Sequence, residues 1–150
     1  MAEEITLSQG IPTYTDSTGK YPKEYSDRNL LSYYSQRNIE IIKYLQKQKW
    51  VSSTELVVVG HSEGSSVAAK MAADCKKIAH LIYSGGNPFG RIMSIIGKDR
   101  TMESDTDRAT YEFSYPMIKY LEKLKIPVLV TYGTKDVCAP FNDFLQVENH

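Results

Sequence analysis

The chain predicts an α/β protein, a parallel sheet of about four strands with helices on both faces. Three observations carry that reading. Residues 56–59, 78–83 and 127–132 are short, largely apolar runs that lack the polar alternation of a half-exposed strand. Stretches with helical spacing lie between them, the alternation that builds a parallel sheet through right-handed crossovers. Each run also ends on turn-forming residues, at Gly60, at Ser84-Gly85-Gly86 and at Gly133.

Taken in order, residues 3–8 fit a short strand, and Gly10, Pro12, Asp16, Ser17, Gly19 and Pro22 punctuate the loop after it. Ser26 or Asp27 is suited to cap the helix that follows. There Leu31, Tyr34, Asn38, Ile41 or Ile42, and Leu45 recur at steps of three and four, an amphipathic helix of about five turns. Lys43, Lys47 and Lys49 read as a solvated face near its carboxyl end. Beyond Trp50 and the Ser52-Ser53-Thr54 turn come the first long apolar strand and a helix rich in small residues. The strand at 78–83 stops at Ser84-Gly85-Gly86-Asn87-Pro88. Residues 89–122 are less regular: a short apolar helix around Ile92 and Ile96, a charged stretch, and an aromatic helix from Tyr111 interrupted near Pro116. After the strand at 127–132, Phe141, Phe144, Leu145 and Val147 begin a last helix.

A chain of 150 residues forms one domain by size. Eighteen basic and eighteen acidic residues cancel, so the whole-chain charge favours neither nucleic acid nor an anionic membrane as partner. Cys75 and Cys138 have no metal or redox spacing and are expected as free thiols. No ligand cluster or phosphate-cradling glycine loop stands out, so no metal or organic cofactor is expected. No apolar run approaches the roughly 20 residues of a membrane span, and a cytoplasmic address is the default expectation.

The chemistry concentrates at Gly60-His61-Ser62-Glu63-Gly64. A Gly-x-Ser-x-Gly pentad between a strand and a helix is the nucleophile elbow, a tight turn that lifts a serine above the sheet edge. Space for side chains is expected to be missing at both glycines. The following helix then aims its N-terminus at the serine, where N–H groups can stabilise an oxyanion. His61 adjoins the serine and projects differently, so it reads as a packing or hydrogen-bonding residue. His80, opening a strand, reads as structural.

This stretch resembles the nucleophile region of the α/β-hydrolase superfamily, in the branch of dienelactone-hydrolase-like esterases and acyl-CoA thioester hydrolases. Residues 126–136, with Ala139-Pro140-Phe141-Asn142-Asp143 after them, resemble the strand that carries the acid of the triad in that family. The likeness runs over most of residues 27–148 and implies a small-molecule carboxylic ester or thioester as substrate. It implies Ser62 as nucleophile, the Glu63 backbone N–H as oxyanion donor and Asp136 as acid, with Asp143 behind it in preference. By order after Asp136 the base would be His150, but only 14 residues separate the two, too few for the further strand the family places there, so the chain is expected to lack the base and the second oxyanion donor. The family also suggests a lid within residues 89–122, against which a crossover helix plus loop stands as the plain alternative.

With few strands on either side of the elbow, the chain reads as a partial α/β-hydrolase fold, the middle of a hydrolase with little turnover by itself. Bare sheet edges lead to an expected homo-oligomer. A non-catalytic binding domain and an acyltransferase with the same nucleophile are the alternatives.

Overall fold

The structure, a computed structural model, describes residues 17–20, 22–90, 112–113 and 115–136. Among these, the chain runs α1 (Lys23–Arg28), α2 (Leu31–Leu45), β1 (Leu56–His61), α3 (Glu63–Asp74), β2 (Ile78–Ser84), α4 (Ile118–Leu121) and β3 (Val128–Thr131). The three strands are parallel and lie side by side in the order β1-β2-β3. The α/β class is therefore as the sequence predicts. The described residues hold three strands rather than about four; the strand expected at residues 3–8 lies outside them.

Register decides which side chains share a face. Val58, Leu81 and Val128 pair across the sheet, as do Gly60, Tyr83 and Val130. That face is covered by α3, whose Ala68, Ala69, Met71 and Ala72 form the core with Ile42 of α2 and with Ile78, Leu81 and Tyr83. Small side chains on α3 let it lie close. A Cβ on Gly60 would stand 2.6 Å from Ser65 Cα and 2.7 Å from Ala68 Cβ.

The opposite face differs from expectation. Val59, Ile82 and Leu129 share it, and Val57, Val59 and Leu129 are 52%, 64% and 56% exposed. Among the described residues, α2, α3 and α4 gather on one face, so the helices expected on both faces are found on one. Apolar character without alternation, the sequence sign of two-sided burial, accompanies one-sided cover among the described residues.

The helix ends also differ. Ser26 and Asp27 lie within α1, and α2 starts after Leu30, which gives no side-chain cap. Its first turn is satisfied from far along the chain: the Ser32 N–H donates to Glu112 Oε2 (2.8 Å), and Ser32 Oγ donates to the same carboxylate. A carboxylate there also meets the positive end of the helix dipole. Around this contact Leu31, Phe113 and Met117 make a second small core. Of the aromatic helix expected from Tyr111, Glu112 and Phe113 are helical where described, and beyond Pro116 the chain forms the single turn of α4. The Ile118 N–H donates to the Pro88 carbonyl (2.7 Å), tying that turn to the loop after β2.

Cys75 is a buried free thiol, as expected. The charged stretch, the last helix and Cys138 lie outside the described residues. No helix among the described residues is long and apolar enough to cross a membrane.

Candidate active site

Ser62 stands between the last residue of β1 and the first of α3, at φ 54° and ψ −123°. It is the one non-glycine residue at positive φ among the described residues. Side chains resist that region because Cβ crowds the backbone. Local bonds hold it there: the Ser62 N–H donates to the Ser84 carbonyl (2.9 Å), and its own carbonyl accepts from the Ser65 N–H (3.0 Å) and Ser65 Oγ. The side chain is exposed at the carboxyl end of the sheet, and α3 begins directly behind it.

The flanking glycines are not equivalent. Gly60 is obligatory, since any Cβ would enter the backbone of α3. At Gly64 a Cβ would meet no atom within 4 Å, which corrects the expectation that space excludes side chains at both positions. A Cβ at Gly86 would collide with Ser65 Oγ and the Tyr83 ring, so β2 also needs a glycine to pass the elbow.

A second group of polar residues lies beside the serine on the same edge. His61 Nδ1 is 3.1 Å from Ser84 Oγ. Gly85 follows at φ +55°, and its N–H donates to the Thr131 carbonyl (2.8 Å), joining the ends of β2 and β3. A Cβ built on Gly85 would lie 3.1 Å from His61 Cε1 and 3.7 Å from Asp136 Oδ2. The imidazole and the carboxylate therefore flank one bare backbone position. Asp136 is set by a turn in which its N–H donates to the Gly133 carbonyl (2.9 Å). His61 is thus a hydrogen-bonded residue of the edge, and the sequence reading missed its partner Ser84. His80, read as structural, is instead exposed on the open face of the sheet.

A groove of about 430 Å³, lined by residues of α2, β1 and α3, lies beside Glu63. Val58, Val67 and Met71 form its apolar part, while Tyr34, Asn38 and Glu63 bring polar groups to it. Burial and then the nearby Glu63 carboxylate raise the Tyr34 phenol above its ordinary pKa. Tyr34 and Asn38 were legible only as helix positions; that they face the elbow depends on how α2 crosses α3.

The structure thus brings Ser62, Glu63, His61 and Asp136 to one edge of the sheet. His150 and Asp143 lie outside the described residues. No group of three or more metal-ligating side chains occurs among the described residues.

No protein family and no curated protein matches the chain. Among solved structures, an acetyl xylan esterase from Paenibacillus sp. R4 is similar over 75% of this chain, with a TM-score of 0.47 and 11% identity. The match spans 50% of that esterase, so the chain accounts for about half the length of the protein it resembles.

Proposed function

We propose that the chain carries the nucleophile and acid of a serine hydrolase of the α/β-hydrolase type, cleaving a carboxylic ester or thioester. The observation that supports this reading most is the backbone of Ser62. A serine held at φ 54° between a strand and a helix carries a steric cost that a glycine would not, and such strain clusters at functional sites.

In the proposed reaction Ser62 Oγ attacks the acyl carbon and passes its proton to a histidine. The negative charge that develops on the carbonyl oxygen is met by the Glu63 N–H at the start of α3. Collapse breaks the bond to the alcohol or thiol, which takes the proton from the histidine. Water then releases the acid by the same steps in reverse order. Asp136 orients and stabilises the histidine. His150 follows Asp136 in chain order but only 14 residues on, and it is not assigned as the base; His61, within hydrogen-bond distance of Ser84, belongs to the same edge. The groove beside Glu63 offers apolar lining for an acyl or leaving group.

The test is covalent labelling with a fluorophosphonate. We expect a single adduct on Ser62, lost in Ser62→Ala and strongly slowed in Asp136→Asn. Labelling elsewhere, or an unreactive Ser62 in a folded protein that includes the flanking sequence, would refute the assignment.

A further inference from the structure

We propose that the amino-terminal edge of the sheet, the end opposite Ser62, docks on an anionic lipid bilayer. In a parallel sheet every helix-to-strand connection arrives at that edge. Here each arrives with lysines: Lys47 and Lys49 before β1, Lys76 and Lys77 before β2, Lys123 and Lys125 before β3, all exposed. The registers Leu56 with Ile78 and Leu81 with Val128 keep the strand starts together; counting back from Val128 brings Lys125 level with Ile78.

Among the described residues, the acids nearby other than Glu55 are already engaged. Glu40 pairs with Lys43 (2.8 Å), Asp74 with Lys70 (2.8 Å) and Glu122 with Lys119 (3.5 Å). Glu55 is the remaining carboxylate of these connections, and none of the six lysines has a salt bridge among the described residues. In a chain of zero net charge, the described residues at this end are therefore strongly basic.

A second observation points to lipid. Tyr44 and Trp50, 65% and 59% exposed, stand among these lysines at the end of α2 and in the turn after it. Tyrosine and tryptophan rings settle at the headgroup level of a bilayer, and lysine stems lie along the same boundary with their ammonium groups among the phosphates. Lysines within a Debye length of an anionic leaflet are drawn to it. The cations come from three connections spread across an end of the domain instead of lining a channel. Every one is lysine, and the guanidinium fork that suits nucleic-acid phosphates is absent from these connections. A flat, diffuse negative surface fits this arrangement better than a strand of nucleic acid. Docked so, the carboxyl edge with Ser62 faces water, about 20 Å along β1 from the lipid. The inference stands apart from the role given to Ser62.

Vesicle sedimentation tests it, with Trp50, the single tryptophan of the chain, as an internal reporter. Phosphatidylcholine vesicles containing about 30 mol% phosphatidylserine should retain the protein at low salt and release it at high salt; pure phosphatidylcholine should not bind. Binding should shift Trp50 emission to shorter wavelength. Joint Lys47→Glu, Lys49→Glu, Lys76→Glu and Lys77→Glu should lower partitioning at least roughly a hundredfold, and the matching glutamine set should lower it less. Unchanged circular dichroism will confirm that the variants fold. Absence of phosphatidylserine-dependent binding, unmoved Trp50 emission, or full binding by the glutamate variant would overturn the proposal. Tighter binding to a single-stranded oligonucleotide at equal salt would overturn it in favour of nucleic acid.

Discussion

Ser62 carries a backbone conformation that glycine would adopt without strain, and the penalty for a side chain there is of order 1–3 kcal/mol. Ser62→Gly should therefore raise stability by about 1 kcal/mol in urea unfolding while losing all fluorophosphonate reactivity. Ser62→Ala should lose reactivity without that gain. A second residue reports through pH. Tyr34 holds its proton more tightly in the native state than at the ordinary pKa of 10.0, through burial first and Glu63 second. The unfolded chain releases that proton earlier as pH rises. The stabilisation is thus intact below about pH 10 and is lost as pH climbs through the higher folded value. Urea midpoints compared at neutral and strongly alkaline pH should fall less in Tyr34→Phe than in the unaltered protein. The motif around Ser62 was legible because its residues are adjacent in sequence. The contact of His61 with Ser84 was not, because it depends on how β1 pairs with β2.

At the level of elements, the docking of α3 on β1 turns on one glycine. Gly60→Ala would push a Cβ into Ser65 Cα and Ala68 Cβ and should cost about 2–4 kcal/mol, since backbone must move. Gly64→Ala meets open space in the first turn of α3 and should be neutral or stabilising by up to about 1 kcal/mol. Thermal unfolding of the two variants separates the roles of glycines that the pentad writes alike. Strands β1, β2 and β3 and helix α3 were readable from apolar runs and small-residue spacing. The start of α2 was not: its N-terminal partner is Glu112, 80 positions from Ser32, and no local capping residue marks the spot. Pro116 signalled the break in the aromatic segment, but not how short a helix would follow it.

For the molecule as a whole, the two faces of the sheet make opposite demands on neighbouring valines. Val58 packs against the core beneath α3, whereas Val59 is 64% exposed. Val58→Lys should cost more than 3 kcal/mol or prevent folding, because it would bury a charge among apolar groups. Val59→Lys should stay within about 1 kcal/mol of the unaltered protein, read by chemical denaturation. Composition could not reveal this asymmetry, since all four residues from Leu56 to Val59 are aliphatic and equally suited to a strand. The same open face has a consequence for variation. A saturation survey of β1 should show tolerance with a period of two, lenient to hydrophilic replacements at 57 and 59 and strict at 56, 58 and 60. Should 57 and 59 instead prove strict in cells, natural selection would be seeing something laid against them there.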